Sequence, residues 1–428
     1  MRIRIDHIAK IEGHASFTAD IIRGDVKGAK VKIEEGARLF EGILRGRRDE
    51  EMPEIASRIC GICPVVHNLT AYKALENAYG LQLDETAIIL RKLMMLGQII
   101  NSHALHLFFF SLADFFGYKS DLQLINAYPE STHDAVKIRD IGNKLVEIVG
   151  GRSVHPITPC LGGFRKAPDI NKLKELLNDF RNNLELTIRL AELFIKLKYP
   201  EFNRETSYVS LSNLDEYAIY PHTKEFGEGA YDGKIKIGKL NLKPEEYLLL
   251  VKEFQGADMV AKRTKFAGNT YMVGALARLH NNREQLNPEA KKLLEKSGLE
   301  FPLYNPFYNI LAQAIEVVHC FEESIKLLEL LTGEIKLTEP KIENRTGEGT
   351  GAIEAPRGTL FYSVKAKDGI IEDLNIITPT AQNLANLEAD LEEFEHIEGF
   401  KNLKKEERAD KIKMLIRAYD PCVTCSVH

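Results

Sequence analysis

The chain has 428 residues, of which 44% are apolar and 28% charged, and its formal net charge is -5. This is the composition of a globular protein with apolar mass for a large core. The near-balanced charge gives no basic footprint of the kind by which nucleic-acid binders hold phosphates, so no nucleic acid is expected among its partners.

Met1 to Asp6 alternates charged and apolar residues and carries no apolar stretch of the secretory-signal kind. Ala15 to Ile22 and Val26 to Ile33 alternate with period two around Arg23-Gly24-Asp25, which predicts a hairpin. Helical periodicity follows over Pro64 to Tyr79, Glu85 to Phe116, His133 to Val149, Asn171 to Leu197, Pro244 to Phe254 and Asn309 to Leu331. The most apolar stretch, Ile99 to Phe116, is interrupted by Asn101, Ser102, His103, His106 and Asp114. Those groups are costly in lipid, so the stretch reads as a buried helix and not a membrane span, in a soluble, cytoplasmic chain. Residues 200–243 read as surface loop and short strands. Thr359 to Val364 and Ile370 to Ile377 flank Lys367-Asp368-Gly369, a second hairpin. Leu391 to Tyr419 reads as one or two further helices.

The expected fold is mainly α (α+β): a long-helix bundle with small peripheral β sheets. No linker or repeat marks a boundary, so one interwoven domain over 1–428 is expected. Its parts are a β-rich segment over 1–50, a helical body over 51–350, a hairpin over 359–377, and a C-terminal helix and metal-binding tail over 391–428.

Six cysteines in so long a chain make no disulfide framework. Four of them form two C-x-x-C pairs, Cys60 with Cys63 and Cys422 with Cys425. That spacing lets both sulfurs of a pair converge on one ion. A structural zinc site of four thiolates is one reading, although zinc ribbons keep their pairs roughly 15–20 residues apart. Two separate redox dithiols are another, but no thioredoxin-like pattern surrounds either pair. Cys160 and Cys320 read as structural buried thiols.

The block Arg58-Ile59-Cys60-Gly61-Ile62-Cys63, with His67 four residues on, resembles the N-terminal signature of nickel–iron hydrogenase large subunits. Asp420-Pro421-Cys422-Val423-Thr424-Cys425, with His428, resembles the C-terminal one. Ile11-Glu12-Gly13-His14, Ser102-His103-Ala104-Leu105-His106, Glu354-Ala355-Pro356-Arg357-Gly358 and Thr378-Pro379-Thr380 match in the same order, so the resemblance spans the chain. It implies the nickel–iron hydrogenase large-subunit fold and reversible heterolytic cleavage of H2.

The resemblance also implies a ligand set. Nickel would be bound by all four sulfurs, with Cys60 and Cys422 terminal. Cys63 and Cys425 would bridge to an iron carrying carbon monoxide and two cyanides. Four thiolates and two cyanides outweigh the charge of two divalent metals, leaving a buried net anion that needs compensation. Arg357 would supply that cation and Thr380 a hydroxyl donor to a cyanide. Glu12 would take the proton from a cysteine sulfur, which makes Glu12, Arg357 and Cys422 the catalytic set. Lys10 stands where the family usually has arginine. Asp114 and Asp420 would orient Arg357, and His67 would support a bridging sulfur. Glu41, the Ile376 carbonyl and His428 would bind magnesium or a similar ion.

Too few cysteines remain for an iron–sulfur relay, and no dinucleotide fingerprint is present. Electrons would therefore leave through a small subunit with iron–sulfur clusters, and beyond it a flavin diaphorase. The overall style is closest to cytoplasmic bidirectional enzymes coupled to NAD(P), with ferredoxin as another acceptor. Two alternatives stay open: a non-catalytic complex-I-like subunit, whose kind lacks the four cysteines, and a structural zinc-binding interaction protein.

Overall fold

A computed structural model describes the chain apart from residues 1, 23–24, 222–232, 257–258, 332, 334, 338–340, 395 and 398–399. The Arg23-Gly24 part of the first expected turn lies outside the described residues. The strands around it pair as expected: Arg2–Ile5, Ala15–Ile22 and Asp25–Ile33 form an antiparallel three-stranded sheet.

Long helices make the body. Pro64–Tyr79, Glu85–Leu105, Pro129–Gly150, Ile170–Ile195 and Asn309–Leu330 lie close to their expected positions. Proline opens the first and third of these, at positions that need no N–H donor. The apolar helix continues through a π-helical stretch, His106–Ser111, into Leu112–Phe115. By length and composition it could cross a membrane, yet 78% of its most apolar window is buried inside the protein.

Three expectations are corrected. Pro244–Leu250 is helical, but Val251–Phe254 is a strand, paired with Arg263–Phe266. Its four residues alternate in burial as a half-buried strand does, a period-two signal too short to separate from a helix end. The second hairpin is a three-stranded sheet, Gly347–Ala355, Gly358–Lys367 and Ile370–Ile377. The extra strand is rich in glycine, which weakens strand propensity. The last helices are Pro379–Phe394 and Lys405–Ala418, so the first begins directly after the third strand.

That glycine-rich strand has a tertiary cause. Gly347, Gly349 and Gly351 share one face, which lies flat on the Pro64–Tyr79 helix. A Cβ at Gly349 would stand 2.3 Å from the Ala78 nitrogen and 2.5 Å from the Ala74 oxygen. Lys73 donates to the Ala352 carbonyl at 3.1 Å, and Asn77 to that of Thr350 at 2.7 Å. Backbone packs on backbone here, so the packing fixes the helix that follows Cys63 against the strand that leads to Arg357. Gly349→Ala is expected to destabilise the chain by about 3 kcal/mol or more, because neither backbone can yield. A melting curve that matches wild type would contradict this.

Polar groups are buried in the interior as well. His319 is buried, and its Nδ1 accepts from the Asn287 N–H at 3.1 Å. Burial holds its pKa down at about 4, against 6.5 for an ordinary imidazole. Between those values the unfolded chain binds a proton that the folded chain refuses. Stability is therefore lost as pH falls from 6.5, and the loss levels off near 4. His319→Gln keeps an acceptor and removes the titration. In denaturant titrations run across this range, it should flatten the fall in unfolding free energy by up to about 1.4 kcal/mol per pH unit.

Candidate metal centre

The two ends of the chain meet in the interior. Glu12 and Cys422 form a parallel β-bridge, and the Val423 N–H donates to the Glu12 carbonyl at 2.9 Å. Arg417 reaches the Ala9 carbonyl at 2.9 Å. Arg38, to which no motif gives a role, stitches the two cysteine loops. Its guanidinium donates to the carbonyls of Ile59 and Thr424, and its own N–H to that of Val427.

These ties bring Cys60, Cys63, Cys422 and Cys425 together. All four are buried, and their sulfurs lie within 4.8 Å of one another. Cys60 faces Cys422 at 3.5 Å, and Cys63 faces Cys425 at 3.2 Å. The Ile62 and Cys63 N–H groups point at the Cys60 sulfur, at 3.3 and 3.4 Å. Hydrogen bonds from the neighbouring thiols, Cys422 first, hold Cys60 well below the usual thiol range, and Arg357 adds to this. Burial pushes Cys422 and Cys425 well above it. Four thiolates together thus need a polyvalent cation, and a soft metal fits the donor set.

One side of the cluster is open. Cys63, Cys422 and Cys425 line a small pocket with Arg357, Pro379 and Thr380. A structural zinc site is closed on all sides, whereas a catalytic site keeps a free face. Arg357 donates from Nε to the Asp420 carbonyl at 2.7 Å and from Nη2 to its carboxylate at 2.8 Å. Its Nη1 lies 3.4 Å from the Ser102 hydroxyl. Burial opposes the charge on Arg357, but Asp420 and the surrounding sulfurs outweigh it. Asp420 itself turns through the left-handed region, at φ 49°. Thr380 accepts from the Cys422 N–H at 2.9 Å, which leaves its hydroxyl hydrogen to donate.

Glu12 Oε2 lies 3.2 Å from the Cys422 sulfur and accepts from the Thr424 N–H at 3.0 Å. His67 Nε2 lies 3.6 Å from the Cys425 sulfur, and its Nδ1 is 2.8 Å from the Tyr362 hydroxyl. Burial lowers the His67 pKa to about 3, so the ring is neutral.

A full-length likeness accompanies this geometry. The sequence pattern described as nickel-dependent hydrogenase matches residues 38–133 and 221–428. Sulfhydrogenase 1 subunit alpha of Pyrococcus furiosus is 36% identical, over 100% of this chain and 97% of that protein. The chain belongs to the nickel-dependent hydrogenase family. Sulfhydrogenase 2 subunit alpha of the same organism is 32% identical, over 100% of this chain and 99% of that one. Among solved structures, an NAD+-reducing [NiFe]-hydrogenase in the H2-reduced state superposes with a TM-score of 0.89 at 26% identity, covering 100% and 99% of the two chains. The chain is therefore a hydrogenase large, catalytic subunit, an enzyme acting on H2, with the large-subunit fold. Family and four-thiol cluster together support a nickel–iron centre.

Not every expected residue reaches this hydrogenase site. Asp114 does not touch Arg357. Its carboxylate grips Arg417 at 2.6 and 2.8 Å. Ser102 is the residue of that helix which meets Arg357, and Asp114 lies twelve residues beyond it, about 18 Å along the axis. Asp114 instead anchors the residue that holds Ala9, near the Glu12 loop. Lys10 pairs with Asp121 at 2.5 Å.

A second cluster joins Glu41, Ile376 and His428. His428 Nε2 lies 2.8 Å from the Ile376 carbonyl and 3.8 Å from the Glu41 carboxylate. Glu41 also accepts from the Ile376 N–H at 2.9 Å, and Lys262 stands 3.4 Å from it.

Proposed function

We propose that Cys60, Cys63, Cys422 and Cys425 would hold a nickel–iron centre, Cys60 and Cys422 serving as terminal nickel ligands and Cys63 and Cys425 as the thiolates shared with an iron that would carry carbon monoxide and two cyanides. The pairing of sulfurs across the two motifs carries this reading, because each N-terminal cysteine faces its C-terminal counterpart. When bound, such a centre supplies the redox chemistry that splits H2 into protons and electrons.

The protein's part is charge and proton handling. Arg357 offsets the anionic cluster, held in place by Asp420, and Thr380 donates into the same pocket. Glu12 takes the proton from the Cys422 sulfur, since a carboxylate oxygen within hydrogen-bond reach is placed for general base work. His67, neutral and tied to Tyr362, supports the Cys425 sulfur. Glu41, the Ile376 carbonyl and His428 would hold magnesium or a similar hard ion, at the carboxylate that now faces Lys262.

Electrons leave through a small subunit with iron–sulfur clusters. Gly61 and Arg58 are exposed beside buried Cys60, which makes this edge the shortest way out. Exposed Leu39, Val154 and Ile157 flank loops tied to the same edge, through Arg38 to Ile59 and His155 to Ser57. A flavin diaphorase and NAD(P) beyond it follow from likeness to the NAD+-reducing enzyme, and the cytoplasm is the expected compartment. Purified native complex should contain nickel and iron in near-equal amounts and show infrared bands of carbon monoxide and cyanide. It should reduce NAD, NADP or ferredoxin with H2. Zinc without nickel would overturn the reading.

A further inference from the structure

Arg278 lies outside every motif that the sequence singles out. It sits on the Ala275–Asn282 helix and is fully buried. All five of its N–H groups are committed. Nε and Nη2 each donate to the Glu316 carboxylate at 2.7 Å. Nη1 donates to Glu354 Oε2 at 2.9 Å and to the Ala355 carbonyl at 2.8 Å. Nη2 donates to the Pro356 carbonyl at 2.9 Å.

The last two acceptors matter most. Ala355 and Pro356 are the residues directly before Arg357, so Arg278 grips both peptide groups from which Arg357 extends. The residue that opens the Arg278 helix tightens the same segment. Gly274, at φ 120°, sits so close that a Cβ there would stand 3.3 Å from the Arg357 carbonyl. Arg357 spends three N–H groups on Asp420 and Ser102. Two therefore remain for the metal pocket, and their direction depends on where the backbone of Ala355 and Pro356 is held.

The grip has its own support. Glu316 also accepts from the Tyr217 hydroxyl at 2.6 Å and meets His103 Nε2 at 2.9 Å. Glu354 Oε1 accepts from the Leu211 N–H at 2.7 Å and from the Thr359 hydroxyl. Both Glu316 oxygens thus have a second partner, and the Glu354 oxygen turned away from Arg278 has two of its own. A buried guanidinium with every donor spent on braced acceptors is rigid, whereas a half-satisfied one would be worse than an apolar core.

We propose that Arg278 is a positioning residue for the hydrogenase reaction, aiming the Arg357 guanidinium at the sulfur cluster by clamping the Ala355 and Pro356 carbonyls. The proposal rests on Arg357 being the compensating cation of that cluster. Lysine at 278 keeps the charge but has three donors on a point centre, so it cannot serve five fixed acceptors.

The test compares Arg278→Lys, Glu354→Gln and Arg357→Lys in the assembled native complex. Arg278→Lys should keep nickel and iron and the Michaelis constant for H2, while kcat falls about tenfold to a hundredfold, the usual cost of a misplaced group. A crystal structure of the variant should show the Arg357 guanidinium displaced from Asp420, a readout independent of turnover. Glu354→Gln should move kcat in the same direction and is read if the lysine variant does not assemble. Wild-type kcat and an unmoved Arg357 in Arg278→Lys, with Arg357→Lys inactive, would overturn the proposal and leave the site reading standing. Full activity in Arg357→Lys would overturn both. Failure of both clamp variants to assemble would make the network a fold element and overturn the proposal too.

Discussion

Cys422→Ser is expected to strip the chain of nickel and to lower hydrogen turnover by more than about a hundredfold. Loss of a mere outer partner of a metal ligand already costs about 10–100-fold, and Cys422 is placed as a direct ligand. The residue is 1% exposed, and its sulfur is 3.5 Å from that of Cys60. A serine oxygen is harder, is a far weaker acid than a thiol, and suits nickel poorly. The fold should persist, because the two side chains are nearly isosteric and the Cys422 N–H keeps Thr380. Nickel content, hydrogen uptake and melting temperature measured on one preparation separate these effects. Full nickel and full uptake in the variant would show that the sulfur pairs do not share a metal.

Glu12→Gln tests the proton path without touching the ligands. Glutamine has the same length and can still accept from the Thr424 N–H, which now meets Glu12 Oε2 at 3.0 Å. It cannot take a proton from the Cys422 sulfur. Steady-state hydrogen oxidation should fall by about 10²–10⁴-fold, the range for loss of a positioned acid–base group. Nickel and iron should stay at wild-type levels. Exchange of D2 with solvent protons should fall in parallel, because it needs the same route. An enzyme that exchanges at the wild-type rate would place the proton exit elsewhere, and Arg357 would then be the next residue to examine.

The legible parts of this chain are those with strong local signals. Pro64 to Tyr79 is readable to the residue, because proline marks its start and a left-handed glycine, Gly80, its end. The cysteines, Glu12 and Arg357 stand out because their neighbours form recognisable blocks. Gly347 to Ala355 escapes a local reading because its glycines answer a helix far earlier in the chain and carry no strand propensity of their own. Asp114 is misplaced because the resemblance that assigned it to Arg357 fixes its place in the chain but not its partner, which the fold makes Arg417. Arg38 and Arg278 are invisible for a related reason. Each acts on backbone carbonyls of distant segments, and a carbonyl leaves no trace in residue identity.

Residue types and their spacing were enough to set the possible chemistry: two C-x-x-C pairs with flanking prolines and histidines, a family and a helical class. Side-chain type is local information, and metal preference, capping and periodicity follow from it. It took the folded chain to establish that residues 362 positions apart share one cluster, which sulfur faces which, and what aims Arg357. Those relations come from long-range packing of backbone on backbone and from a buried guanidinium with all its donors spent, which no short window of sequence encodes.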